Sequence, residues 1–281
     1  MKRLALTLLA VALAGLVGWQ LWDYYILAPW TRDGRVRADV VGVAPDVSGL
    51  VAAVAVQDNQ VVERGALLFE IDRARFELAV QQADAAAQLR WEALQQSQRD
   101  ARRVTRLDQS VVSVQTQERA VSDANQAAAA YAQAIAERDL ARLNLERSRV
   151  MAPVSGTVAN LELRPGDYVT AGRAVLALVD RDTIRIEGYF EETKLPRIAP
   201  GAPARVRLMG ERADIRGHVG SIAGGIEDRD RAAGPSLLAN VNPTFSWVRL
   251  AQRVPVRIAI DSVPQGVRLL PGRTATVSIG E

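Results

Sequence analysis

The chain has 281 residues, 48% of them hydrophobic, which allows one to three modest domains with real cores. It contains no cysteine, and this excludes disulfides, thiol chemistry, cysteine-ligated metals and lipid attachment at an N-terminal cysteine. The formal charge is only +3, and the base is arginine dispersed among acids, with Lys2 and Lys194 the only lysines; a nucleic-acid surface would cluster its basic residues beside aromatics, so no nucleic-acid partner is expected.

Lys2 and Arg3 precede an uncharged stretch over residues 4–21, from Leu4 to Leu21. As a helix of about 18 residues it would rise roughly 27 Å, close to the hydrocarbon thickness of a bilayer. Trp19, Trp22, Tyr24, Tyr25 and Trp30 crowd its far end, as an interfacial aromatic belt would. A cleaved signal peptide, with Ala12-Leu13-Ala14 as its small-residue site, is the alternative. The apolar run continues past that site to Leu21, which favours a retained anchor within residues 1–28. Lys2 and Arg3 would keep its N-terminus cytoplasmic.

Residues 29–43 alternate at Val36, Ala38 and Val40, which predicts one lead strand joining a later barrel. A passage that occurs twice then organises the rest of the chain. Val47-Ser48-Gly49-Leu50-Val51-Ala52 returns as Val154-Ser155-Gly156-Thr157-Val158-Ala159, and the offset of 107 residues holds through Val62 and Val169, and Gly65 and Gly172. Each copy shows two apolar runs about a turn and reads as a hairpin-like unit with one apolar face. Because an isolated strand pair is marginal in water, the copies, 44–72 and 151–180, are expected to pack on each other.

From Arg73 to Pro153 there is no other proline and no glycine, and Ala, Gln, Arg, Glu and Leu dominate. Apolar residues at Phe76, Val80, Ala83, Ala87, Leu94, Ala101 and Val104 predict one helical arm. Val121, Ala124, Ala128, Tyr131 and Ile135, then Leu140 and Leu143 after a shift in phase, predict a second. The break falls at 107–113, where Ser113 can cap the second helix. Residues 73–150 therefore read as an antiparallel helical hairpin, each arm about 50 Å long.

In residues 181–281 short alternating strands are predicted at 183–190, 204–208, 218–223, 247–250, 254–260 and 274–279, with a helical turn over 191–195 stopped by Pro196 and a loop over 224–242. Strands at this spacing, punctuated by Gly and Pro, read as a small antiparallel barrel. The sole histidine, His218, sits in one of those strands, and no second histidine or cysteine can join it as a ligand or base. No catalytic constellation is visible, so no enzyme, cofactor or metal is expected.

Paired units of this kind resemble the biotinyl/lipoyl carrier fold, but a carrier needs a lysine where the two halves meet, and neither Lys2 nor Lys194 lies near it. An anchor, a split lipoyl-like domain with a helical hairpin inserted at its centre, and a terminal barrel together resemble the periplasmic adaptors, or membrane fusion proteins, of the HlyD family. Pro29-Trp-Thr-Arg-Asp33, Ala38-Asp-Val-Val41, Ala44-Pro-Asp-Val-Ser-Gly49, Asp58-Asn-Gln60, Glu191-Glu-Thr-Lys-Leu195 and the eleven residues Trp247-Val-Arg-Leu-Ala-Gln-Arg-Val-Pro-Val-Arg257 are similar to the periplasmic subunits of p-hydroxybenzoic acid efflux pumps. The resemblance implies an elongated multidomain α+β chain, held by a single span in a Gram-negative inner membrane with its bulk in the periplasm. It implies a ring of copies linking an inner-membrane exporter of aromatic carboxylic acids to an outer-membrane TolC-type channel. An adaptor for a multidrug or polypeptide exporter is the alternative. By the same resemblance Arg103, Leu107 and Ser113 at the hairpin tip would meet the channel, with Leu to Ser one residue shorter than the common spacing, and Gly49, Gly65, Gly156 and Gly172 would be turn glycines of the lipoyl-like halves.

Overall fold

The computed structural model describes residues 2–22, 28–107, 112–226, 231–233, 239–241 and 251–280. They form two compact units, Met1–Asp39 with Thr183–Glu281, and Val40–Asp182. In chain order the elements are helix α1 (Lys2–Trp22) and strand β1 (Trp30–Arg37), then β2 (Val40–Val43), β3 (Gly49–Val54), β4 (Val61–Val62) and β5 (Leu67–Ile71). Helices α2 (Ala74–Thr105) and α3 (Val114–Arg147) follow, then β6 (Arg149–Met151), β7 (Gly156–Ala159), β8 (Tyr168–Val169) and β9 (Leu176–Asp180). The chain closes with β10 (Arg185–Glu191), β11 (Pro203–Leu208), β12 (Asp214–Ile222), β13 (Arg231–Ala233), β14 (Ala239–Val241), β15 (Arg253–Ser262) and β16 (Thr274–Ile279).

In the first unit six antiparallel strands close into a barrel in the order β1-β10-β15-β12-β11-β16, with β16 returning to β1. Alternation decides which side chains fill it. Ala204, Val206 and Leu208 of β11 and Ala275, Val277 and Ile279 of β16 point inward, and join Val36, Ile186, Phe190, Ile215 and Ile258 in one core. Each of the larger side chains, fully buried, contributes about 1.5–3 kcal/mol, and closure removes the exposed edges that invite aggregation. Gly34 sits at an irregularity between β1 and β16, where a Cβ would stand 2.7 Å from the Ala275 carbonyl oxygen. Only glycine permits that approach.

The lead strand expected over 29–43 is two strands. β1 belongs to the barrel, whereas β2 pairs with β9 in the other unit, because the alternation of the barrel face stops at Arg37 and a new pattern begins at Val40. The turn expected to stop at Pro196 runs on as a 3-10 helix, Glu192–Arg197, since proline's fixed φ suits a tight helix and it withdraws only one donor. Within the expected loop over 224–242, β13 and β14 pair as a ribbon; the strand expected at 247–250 lies outside the described residues. α1 covers the expected membrane span. Among the described residues no helix is long and apolar enough to cross a membrane. Leu4, Leu21, Tyr24 and Tyr25 lie outside the described side chains. Trp30, expected in the interfacial belt, instead opens β1.

In the second unit the two sequence copies share one core. Val51 and Val158 belong to the same cluster, with Leu68, Phe69, Ile71 and Leu178. The copies are not separate hairpins packed face to face, however; they exchange strands. One sheet runs β2-β9-β7-β4 and the other β6-β5-β3-β8, so each draws from both copies. The exchange is symmetric: Val62 of β4 lies opposite Gly156 of β7, and Val169 of β8 opposite Gly49 of β3. Strand periodicity announces a buried face but does not name the neighbour, and two-residue strands such as β4 gain their stability only by joining a longer sheet.

Between β5 and β6 the chain makes the helical hairpin. Its root is fixed by Phe76, which enters the sandwich core, and by Ser148, whose carbonyl accepts from the Ile71 amide at 2.8 Å while its hydroxyl donates to Leu145 at 2.6 Å. Along the arms Trp91 meets Tyr131 with ring centroids 5.2 Å apart, and Arg142 reaches Asp84 of the facing helix at 2.8 Å. The expected α2 seam, from Phe76 to Val104, is the one observed. The α3 seam is observed in part: Ala124, Tyr131 and Ile135 are half-buried as expected, Val121, Ala128, Leu140 and Leu143 are exposed, and the regular buried or half-buried series is Gln117, Ala120, Ala124, Ala127, Tyr131, Ala134, Arg138, Ala141, Leu145 and Ser148. That series repeats in steps of three and four, and its alanines let the two helices approach closely.

Candidate functional site

The three residues expected at the hairpin tip lie at its distal end. Arg103, in the last turn of α2, is largely exposed and donates to Asp100 Oδ1 at 2.6 Å. The Leu107 side chain is exposed just beyond α2, while its carbonyl accepts from Gln117 Nε2 at 3.4 Å. Ser113 is the N-cap of α3; its hydroxyl accepts from the Thr116 amide at 3.3 Å, which supplies a partner to one of the orphan donors of the first turn. Residues 108–111 between them lie outside the described residues.

The four repeat glycines divide into two kinds. Gly65 and Gly172 have φ of 84° and 79° and turn the chain in the left-handed region, as expected. Gly49 and Gly156 are strand residues, contrary to the expectation of turns, and are needed for close approach. A Cβ on Gly156 would stand 2.3 Å from the Val179 carbonyl oxygen, and one on Gly49 would stand 2.6 Å from Ile71 Cγ2.

Where the hairpin leaves the sandwich there is an open cleft of about 1,000 Å3 that the sequence did not announce. Val41, Leu145 and Met151 supply an apolar floor, and arginines surround it, each matched to a carboxylate: Arg147 to Asp46 at 3.1 Å, Arg142 to Asp84 at 2.8 Å and Arg73 to Glu77 at 3.3 Å. Exposed pairs of this kind contribute little stability individually. Their charges nevertheless present alternating sign to anything that seats there.

The barrel carries a denser charge pattern. Arg207 and Asp214, opposite each other on β11 and β12, form a two-pronged pair at 2.6 and 3.0 Å, and this hydrogen bonding holds the Asp214 carboxyl below its usual range. Asp39 and Glu187 similarly hold Arg185 more firmly protonated. His218 meets Asp261 at 2.8 Å on the exposed face of β12 and β15, so it is a surface strand residue rather than part of a ligand set. Among the described residues no group of three or more His, Asp or Glu side chains could hold a metal ion. Sequence reasoning passed over Lys194, which lies buried beneath Trp30 although 164 residues separate them.

Comparison with known proteins accounts for both units. Residues 39–181 match the family described as the RND MFP barrel-sandwich hybrid domain, and residues 183–280 match the AAEA-like beta-barrel domain. The uncharacterized protein YdhJ of Escherichia coli (strain K12) is 40% identical over 275 residues, covering 98% of this chain and 96% of that protein. Among solved structures, the membrane fusion protein Spr0693 from Streptococcus pneumoniae R6 has the same fold, with a TM-score of 0.67 at 14% identity over 89% of this chain and 97% of that one. A MacA–MexA chimera containing the Pseudomonas aeruginosa MexA α-hairpin domain gives a TM-score of 0.61 at 21% identity, over 90% of this chain and 81% of that one. The family match over residues 39–181, together with the relative 40% identical over nearly the whole chain, establishes that the chain belongs to the RND-type membrane fusion protein family of non-enzymatic adaptors, and the interlaced sandwich with its inserted hairpin is the fold of that family.

Proposed function

We propose that the chain is the periplasmic adaptor of a three-part efflux system, joining an inner-membrane exporter of aromatic carboxylic acids to an outer-membrane channel of the TolC type. The observation that carries this reading is the hairpin inserted between interlaced half-sandwiches, which gives the chain two rigid arms with an exposed tip. Arg103, Leu107 and Ser113 would form the channel-docking surface, offering a cation, an apolar side chain and a hydroxyl together. The aromatic-acid cargo rests on the resemblance of residues 29–33, 191–195 and 247–257 to the periplasmic subunits of p-hydroxybenzoic acid pumps.

The chain would be held by α1 as a single inner-membrane span. Leu8, Leu9, Val11, Leu13, Leu16 and Val17 are all exposed around this helix, and a helix apolar on every side requires non-aqueous surroundings. Several copies would assemble side by side into a ring. The arginine–carboxylate pairs around the cleft at the hairpin root offer the complementary charge that sets register between neighbours.

The test is made in cells. Deletion of the gene should raise sensitivity to aromatic carboxylic acids, and a photoreactive amino acid at position 107 should cross-link to an outer-membrane channel. Unchanged export after clean deletion, or cross-links confined to other partners, would overturn the reading. An adaptor serving a multidrug or polypeptide exporter would keep the cross-link and lose the aromatic-acid phenotype.

A further inference from the structure

In the barrel, a cleft of about 320 Å3 opens beside the start of β1. Lys194 lies against it with only 9% of its surface exposed. Among the described residues its ammonium donates one hydrogen bond, to the Trp30 carbonyl at 3.2 Å, and it sits 5.2 Å from the centre of the Trp30 ring. An ammonium has three N–H donors, so two remain available. Among the described residues no carboxylate pairs with it within 4.0 Å. A buried cation answered by one carbonyl and a ring face is incompletely compensated, and the missing partner is an anion.

The rest of the lining narrows the choice. Asp33, the nearest acid along β1, is engaged by Arg253. Glu191 is exposed and is outnumbered by Lys194 and the exposed Arg32, whose guanidinium lies 5.4 Å from the Trp30 ring centre. Tyr189 forms a further wall, its ring hydroxyl held by Arg37 at 3.4 Å. The space lies at the small end of the roughly 300–1,000 Å3 typical of small-molecule clefts, and flat partners line it.

We propose that this cleft binds a small aromatic carboxylate, its carboxylate on Lys194 and its ring among Trp30, Tyr189 and the Arg32 guanidinium. The choice of a single-ring acid among carboxylates rests on the aromatic-acid reading of the cargo. The demand for an anion comes from Lys194 alone. Three stretches far apart in sequence, 29–33, 191–195 and 247–257, each contribute a side chain to the cleft. The adaptor would thus touch its cargo beside the exporter rather than only enclosing its path.

The experiment is calorimetric titration of the full chain in detergent micelles with benzoate and 4-hydroxybenzoate, against benzamide as the neutral isostere and acetate as the anion without a ring. Both aromatic acids should bind at millimolar concentration or tighter. Lys194→Met should weaken them by about tenfold or more, and Lys194→Arg should retain binding, because a charge-assisted hydrogen bond is lost in the first and kept in the second. Benzamide should bind at least tenfold more weakly than benzoate. Should Lys194→Met fail to fold, the exposed Arg32→Glu provides the same test, since reversing the rim charge should also lower benzoate affinity. Absence of benzoate binding, an affinity unchanged in these variants, or benzamide binding equal to benzoate would overturn the proposal. Acetate binding as tightly as benzoate would overturn the aromatic ligand and point to an acidic side chain of a partner protein. Because binding is read on the purified chain, its failure leaves the adaptor reading standing, and an absent deletion phenotype leaves the binding result standing.

Discussion

Gly156 takes as its strand partner Val62, from the other sequence copy, and leans so closely on Val179 that a single methyl group there would meet backbone. Its counterpart Gly49 makes the equivalent pairing with Val169, yet a Cβ there meets side chains rather than backbone: Ile71 Cγ2 in the core at 2.6 Å and the end of Arg75, of which only the latter shifts freely. The two halves of the sandwich are therefore alike in topology and unlike in tolerance. Gly156→Ala should destabilise the unit by about 2–4 kcal/mol and Gly49→Ala by less, about 1–3 kcal/mol, within the range of strain and overpacking effects. Urea unfolding of the two variants checks this, and equal costs would contradict it.

The hairpin seam gives a second contrast. Leu94 is 6% exposed between the helices, whereas Leu140 is 58% exposed on the outer face of α3. Leu94→Ala should cost about 2–4 kcal/mol, felt as faster amide exchange in both arms, and Leu140→Ala should stay within about 0.5 kcal/mol. Comparable costs at the two positions would restore the expected seam, which contained both residues.

At the tip, stability and docking should separate. Ser113→Ala removes the α3 cap and should lower stability by about 1 kcal/mol. Arg103→Glu and Leu107→Asp alter exposed side chains and should leave the melting temperature unchanged while abolishing aromatic-acid export in cells. Export retained by both variants would remove the tip from the docking surface.

The Arg207–Asp214 pair fixes a pH dependence. Asp214 has a depressed carboxyl in the folded chain, chiefly through the hydrogen bond from Arg207. Its contribution is complete above the unfolded carboxyl value of about 3.9 and is lost as pH falls through the lower folded value. Asp214→Asn should therefore lower stability near neutral pH and flatten the acid limb below about pH 4. Thermal melts across pH 2–7 compare the two.

The sequence made some of this legible and concealed the rest for physical reasons. The offset of 107 residues showed that two modules share one fold, and composition alone marked the insert between them as helical. The exchange of strands stayed hidden, because alternation at Val54 and Val56 reveals a face and says nothing of which edge lies beside it. In α3 the seam is carried by alanines, which pack well but signal weakly, so the larger Val121, Leu140 and Leu143 drew the prediction to the outer face. Trp30 sat near an apolar helix and read as part of a membrane belt. Its true neighbour Lys194 comes from a segment that read as a solvated turn, and no local pattern joins positions so distant.

The exchanged strands also impose an order on how this molecule is made. When residues 40–71 leave the ribosome, β3, β4 and β5 belong to sheets whose remaining strands have yet to be synthesised. At about 5–20 residues per second, the 107-residue offset means a wait of roughly 5–20 s with apolar edges uncovered. Only the β3–β5 pair and the helices can form in that interval. By zipping from the tip they carry Arg149 back beside Glu70, so the late half is delivered to the early one instead of finding it by diffusion.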